Sequence, residues 1–225
     1  MSPTRGTLRV SSDLESLSHE AGEFFLNSAQ NAVGTHGRFS VSLSGGSTPQ
    51  KLYRLLATEP FASQIPWAGV HFFWGDERYV SQDHPDSNYR MVKQNLLDHI
   101  PIPAVNVHPM PTGYTELEDA ARAYSEELER FFEGDIRFDL ALMGMGPDGH
   151  TASLFPGDPA LQVTDHPVAV AYPTSQPTAR LTLTIPVFNQ SQQVVFLISG
   201  TDKAKVLSAV VGTDETTYPS QLILP

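Results

Sequence analysis

Four apolar segments of strand length each run into a glycine-bearing turn, and this recurrence restricts the chain to folds that alternate strands with helices. Phe39, Val41 and Leu43 alternate with polar residues before Ser44-Gly45-Gly46-Ser47, and Val70 to Trp74 leads into the polar turn Gly75-Asp76-Glu77-Arg78. Phe138 to Met143 leads into Gly144, and Val194 to Ile198 into Ser199-Gly200. Helical periodicity fills the intervals. Leu14, Leu17, Ala21, Phe24, Phe25 and Ala32 recur at three- and four-residue steps, with a capping box of Ser12 and Glu15 at the start and Gly34 as the stop. Pro49 lies near the start of a second helix carrying Leu52, Tyr53, Leu55 and Leu56. Further helices are expected at Asn88 to His99, at Thr115 to Phe132 behind a capping box of Thr115 and Glu118, and at Asp202 to Val211.

Val168 to Tyr172 and Arg180 to Ile185 read as additional strands, the second by its alternation of Leu181, Leu183 and Ile185. The pattern predicts an α/β fold, a mostly parallel sheet with helices on both faces, in which ligands bind beyond the carboxyl ends of the strands. All of the glycine turns fall at such ends. The proline-rich stretches Pro101 to Pro111 and Pro156 to Pro177 are read as surface connections within one unit, so residues 1–225 are expected to form a single domain.

With 40% apolar and 17% charged residues the chain can bury a substantial core. No apolar run exceeds the five residues of Val194 to Ile198, and Met1 to Asp13 lacks the apolar heart of a signal peptide, so neither a membrane span nor secretion is expected. The absence of cysteine removes disulfides, thiolate nucleophiles and cysteine-bound metals, which suits a cytoplasmic enzyme. Fourteen Lys and Arg stand against 25 Asp and Glu, and the resulting charge of −11 repels a polyanion such as DNA. A small anion binds such a chain only where several scarce basic groups or backbone amides converge.

Gly144 to Gly149 satisfies G-x-G-x-x-G, but Pro156 follows too soon for the helix that a dinucleotide fingerprint must open. Gly45 to Lys51 lacks the second glycine and the Lys-Ser/Thr pair of a P-loop. What Ser44, Gly45, Gly46, Ser47 and Thr48 offer is a run of small residues and free amides leading into a helix, either an anion site or an ordinary strand-to-helix turn. His150 follows two glycine turns, with Asp148 two positions before it and Thr151 and Ser153 after it. It is either a general base that accepts a proton from water or a satisfied loop histidine. A metal reading would recruit Asp76, Glu77, Asp148 and His150, but no H-x-x-x-H or H-E-x-x-H spacing is present, and no metal is expected. Ser47 and Ser153 occupy no G-x-S-x-G elbow. Arg78, Arg180 and Lys203 each sit at a strand end or beside a glycine turn, where a cation is either solvated surface or a clamp on an anionic substrate.

Taken jointly, Ser44-Gly45-Gly46-Ser47-Thr48-Pro49, Trp74 to Arg78, His84-Pro85-Asp86-Ser87-Asn88-Tyr89, Gly144 to Gly157, Arg180-Leu181-Thr182-Leu183-Thr184 and Gly200-Thr201-Asp202-Lys203-Ala204 strongly resemble the 6-phosphogluconolactonase family, in order and over nearly the whole chain. That resemblance implies a Rossmann-like open sandwich related to glucosamine-6-phosphate deaminase, without cofactor or metal. It implies hydrolysis of 6-phospho-D-glucono-1,5-lactone, a carboxylic ester, in the oxidative pentose phosphate pathway. On the family pattern His150 is the base that activates water, Arg78 holds the lactone end, and the Ser44 to Thr48 turn, Arg180 and Lys203 grip the phosphate. Asp76 and Asp148 are the carboxylates beside them. The partner is then a small phosphorylated sugar lactone, with no nucleic acid and no membrane, while no feature assigns an oligomeric state.

Glucosamine-6-phosphate deaminase is the nearest competitor, since it is similar in the glycine turn and the Asp-Gly-His element. Its pattern has Asn-Glu-Pro where this chain has Leu154-Phe155-Pro156, and a tyrosine where Arg78 stands. A non-catalytic sugar-phosphate sensor would use the same anion grip. Family members usually continue through a further strand and helix where this chain stops at Pro225, just after Tyr218-Pro219-Ser220, which marks the carboxyl end as a candidate truncation.

Overall fold

The computed structural model describes residues 6–174, 177–212 and 218–224. Met1 to Arg5, the 175–176 step of the Pro156 to Pro177 connection and Pro225 lie outside them. The chain runs α1 (Leu14–His36), β1 (Phe39–Leu43), α2 (Ser47–Leu56), α3 (Phe61–Gln64), β2 (Val70–Trp74), β3 (Asp76–Arg78), α4 (Asn88–Asn95) and β4 (Val107–His108). It continues through α5 (Leu117–Phe132), β5 (Leu140–Met143), β6 (Val168–Ala171), β7 (Arg180–Leu183), α6 (Ile185–Gln190), β8 (Val194–Phe196) and α7 (Ala204–Val211). Five strands form a parallel sheet in the order β4-β2-β1-β5-β8, and three form an antiparallel sheet in the order β3-β7-β6.

The expected mostly parallel sheet with helices on both faces is present, and β2 shows why. Successive strand side chains point to opposite faces. Phe72 stacks on Phe25 of α1 at 6.4 Å, whereas Phe73 meets Phe131 and Phe132 of α5 at 4.9 and 5.8 Å. Tyr124 of α5 adds a polar tie, accepting from the Trp74 amide at 3.0 Å and donating to the His108 carbonyl at 3.1 Å. Central β1 is buried along its whole length, including the serines that its alternation places on a polar face. Ser40 survives burial because Asp139 accepts from both its amide and its hydroxyl, at 2.8 and 2.7 Å. Among the described residues no helix is long and apolar enough to cross a membrane.

Several boundaries differ from the sequence expectation. Asp13, not Ser12, caps α1 by accepting from the Ser16 amide, and the helix passes Gly34 to end at Gly37, where φ is 83°. The capping box of Thr115 and Glu118 does not form, since α5 begins at Leu117 behind Glu116, which makes no side-chain cap. Leu96 breaks the helix expected to reach His99, and a 3-10 turn covers Leu97–His99. Lys203 closes another 3-10 turn before α7 instead of opening the helix. Ile185 leaves its expected strand to begin α6, with Pro186 in the first turn. The Pro101 to Pro111 connection contains β4, an edge strand of the main sheet. Most consequential for the site, Asp76-Glu77-Arg78 is not a turn but β3, paired with β7.

Asp139 provides a test of the tie between β1 and β5 at their amino ends. Replacing it with alanine leaves the buried Ser40 amide without its acceptor, and Asp139→Ala should lose about 1–3 kcal/mol in urea unfolding, with a loss below about 0.5 kcal/mol contradicting this account.

Candidate active site

Strand β1 lies at the switch point of the parallel sheet, with β2 on one side and β5 on the other, so the crevice opens beyond Leu43 and Met143. The Ser44 to Thr48 turn occupies the first of these ends. Tyr53 holds its root from below: the Ser44 amide donates to the phenol oxygen at 3.1 Å, and the phenol donates to the Ser44 carbonyl at 2.7 Å. Burial pushes the Tyr53 phenol pKa up, so it remains a neutral donor. Gly46 has φ 101° and caps α2 without a side-chain bond, and no acidic residue lies in the first turn, which leaves the helix terminus available to an anion. Gly45 must lack a side chain because a Cβ would lie 2.0 Å from Asn88 Oδ1.

At the end of β5, Thr151 anchors the following loop by donating to the Gly144 carbonyl at 2.7 Å. His150 Nδ1 lies 2.5 Å from Asp148 Oδ1, and its ring is 4.6 Å from that of Phe155. The imidazole stays a quarter exposed. Three residues on, Ser153 donates to Asp76 Oδ2 at 2.6 Å, so the His150 loop is fastened to β3. Ser44, Gly75, Asp76 and Ala152 line one small cavity, which places the two loops and β3 around a common crevice.

The antiparallel register then explains the charges. Asp76 lies opposite Thr182 and Arg78 opposite Arg180, so these four side chains share one face. Arg78 Nη1 donates to the Asp86 carbonyl at 2.6 Å. Burial, and then the charge of Arg78, lower the pKa of Arg180, while Asp76, Glu77 and Asp86 oppose that shift. Lys203 stands beyond β8, the outer neighbour of β5, and no hydrogen bond or ion pair among the described residues joins it to the other candidates. Among the described residues no three His, Asp or Glu side chains form a metal-binding group.

Four further residues support the site, and the sequence pattern assigns none of them this role. Tyr53 was legible only as an apolar helix position. Asn88 donates to the Asp76 carbonyl at 2.9 Å, Thr182 accepts from the Ser153 amide at 3.4 Å, and Glu77 is 2% exposed beneath the Arg78 backbone. These bonds depend on the folded path of the chain between the partners, which residue spacing alone does not carry.

Residues 12–225 match the family model described as glucosamine-6-phosphate isomerases/6-phosphogluconolactonase. A 6-phosphogluconolactonase of Synechocystis sp. is 46% identical over 200 residues, covering 86% of this chain and 81% of the relative. One from Nostoc sp. is 40% identical over 225 residues, covering 97% and 91%. Among solved structures, 6-phosphogluconolactonase from Thermotoga maritima superposes with a TM-score of 0.81 at 32% identity, over 92% of this chain and 90% of that one. The strand-end crevice described above is therefore carried on a chain that belongs to the glucosamine-6-phosphate isomerase/6-phosphogluconolactonase family.

Proposed function

We propose that the chain hydrolyses 6-phospho-D-glucono-1,5-lactone to 6-phospho-D-gluconate, as a single cytoplasmic α/β domain needing no metal or cofactor. The observation that carries this reading is the Asp148-held imidazole of His150, on a loop fastened to Asp76, the neighbour of Arg78. With Nδ1 donating to Asp148, Nε2 is left as the basic nitrogen. Water attacks the lactone carbonyl carbon and gives its proton to Nε2. The tetrahedral intermediate then collapses with cleavage of the bond to the ring oxygen, which takes the proton back from the imidazolium and becomes the hydroxyl of the open acid. Arg78 holds the lactone end. The Ser44 to Thr48 turn, Arg180 and Lys203 take the phosphate, combining helix-terminal amides with charge-assisted bonds.

The isomerase reading of the same family is weaker at one position. Where the deaminase pattern has a carboxylate beside the histidine, this chain packs the ring of Phe155 against His150. A phenyl ring supplies no proton shuttle through an enolised sugar.

Freshly generated 6-phosphogluconolactone, given to chelator-treated protein at mildly acidic pH, should open faster than in buffer alone. No increment over the spontaneous rate overturns the proposal, and activity that appears only after zinc or magnesium is added defeats the metal-free mechanism. For the base, His150→Asn should lower kcat by about 10²- to 10⁴-fold while 6-phosphogluconate affinity, measured by calorimetry, stays within about tenfold. Near-native kcat in a folded variant would return His150 to a structural role. For the phosphate, Arg180→Ala or Lys203→Ala should cost about tenfold to a hundredfold in kcat/KM on the phosphorylated lactone, the equivalent of about 1.5–3 kcal/mol, and much less on unphosphorylated gluconolactone. Equal losses on both substrates would point to damaged folding.

A further inference from the structure

We propose that Glu77 is a positioning residue whose carboxylate closes the loop from Arg78 to Ser87 and so sets where Arg78 presents its guanidinium. The inference rests on the lactonase reading above for the role of Arg78. Alternation along β3 turns Glu77 away from Asp76 and Arg78, to the face it shares with Leu181. There it is nearly sealed from solvent, and its two oxygens accept four hydrogen bonds. Oε1 takes the Arg78 and Asn88 amides, both at 2.7 Å, and Oε2 takes the Tyr89 amide at 2.7 Å and the Ser87 hydroxyl at 3.1 Å.

These donors lie at the two ends of one loop. Arg78 begins it, and Ser87, Asn88 and Tyr89 end it at the start of α4, where helical amides have no partner within their own helix. One carboxylate therefore fixes the root of Arg78 and the far side of the loop together. Loop geometry then reaches the head of the same residue, because Arg78 Nη1 donates to the carbonyl of Asp86, one residue before the clamped end. Through α4 the clamp also sets Asn88, which reaches the Asp76 carbonyl.

The chemistry is specific to a carboxylate. Three of the four donors are backbone amides, which cannot reverse their polarity. A glutamine amide, whichever way it is turned, sets its NH₂ against at least one of them. Burial, with the charge of Asp76 adding to it, raises the carboxyl pKa although the three amides pull it down, and no ion pair among the described residues compensates Glu77. A buried carboxylate without a cation partner is costly unless hydrogen bonds satisfy it, and here all of its bonds go to the loop that carries Arg78.

The test is a double-mutant cycle on the phosphorylated lactone with Glu77→Gln, Arg78→Ala and the pair. Glu77→Gln should lower kcat/KM by about tenfold to a hundredfold in the wild-type background and by less than about threefold in the Arg78→Ala background. Equal losses in both backgrounds overturn the proposal. If Glu77→Gln does not fold, as judged by thermal unfolding, Glu77→Asp serves in the same cycle, since it keeps the charge but withdraws it from the four donors. A second readout is independent of turnover. The Arg78 side-chain N–H resonances, assigned by their loss in Arg78→Ala, should be protected from solvent exchange in the wild type and lose protection in the Glu77 variant. Unchanged protection overturns the clamp even if the chain proves inactive on the lactone, whereas an inactive wild type with the expected resonance change overturns the lactonase reading alone.

Discussion

Two hydrogen bonds through one glycine join the sheets on which everything else is mounted. The Gly75 amide donates to the Leu43 carbonyl at the end of β1, 2.9 Å away, and the Gly75 carbonyl accepts from Leu183 of β7 at 2.8 Å. The backbone thus leaves the parallel sheet and enters the antiparallel one within a single residue. A Cβ at this point would stand 3.1 Å from Ser42 Oγ, tighter than most Cβ contacts, and 3.4 Å from the Leu43 carbonyl, so Ser42 would have to give way for a side chain to fit. Because β3 begins at the very next residue, Asp76 and Arg78 are carried directly over the carboxyl end of β1, where the small-residue turn and α2 begin.

That junction also decides the electrostatics. A chain with a charge of −11 sets two of its few guanidinium groups opposite one another, on Arg78 and Arg180. Like charges facing across a strand pair destabilise each other, and Arg180 is moreover 5% exposed, so little solvent screens the repulsion. Asp76 on the same face, with Glu77 and Asp86 nearby, offsets part of it. An anionic ligand between the guanidinium groups would offset more. The acidic average of the chain is therefore compatible with the proposed anion site, because Arg78 and Arg180 meet across one strand pair.

Much of this was legible in the sequence, and what was not has a common cause. The glycine turns at Ser44 and Gly144 and the strands before them follow from local patterning, because a hydrophobic run ending in small residues constrains only its own neighbourhood. Asp76-Glu77-Arg78 reads as a turn by polarity, yet its strand character comes from pairing with Arg180-Leu181-Thr182, about a hundred residues later, and no local signal reports a partner at that distance. Ser40 and Ser42 mislead in the opposite direction: alternation with Phe39, Val41 and Leu43 suggests a wetted face, but a strand at the centre of a parallel sheet is covered on both sides. The caps at Asp13 and Glu116 turn on shifts of one residue, below what spacing resolves. Lys203 follows β8 as the pattern expects, but in a 3-10 turn and not in the helix.

The loop carrying the proposed base shows how local and distant constraints combine. Gly146 is dictated from within, since a Cβ there would fall 2.1 Å from His150 Cε1 and 2.8 Å from Asp148 Oδ1. Gly149 is dictated from outside: with φ at 76° it takes the ring of Tyr218 where a Cβ would lie, and its carbonyl accepts from Ser220 at 3.0 Å. Ala152 then adopts φ 48°, a left-handed conformation that costs an ordinary residue about 1–2 kcal/mol. That strain sits between two short side-chain bonds, Thr151 to Gly144 at 2.7 Å and Ser153 to Asp76 at 2.6 Å. The reversal at Ala152 is what allows the loop to answer to β5 on one side and to β3 on the other. Thr151 and Ser153 thus tie the loop to both sheets that form the crevice, with the imidazole of His150 one residue before the first anchor.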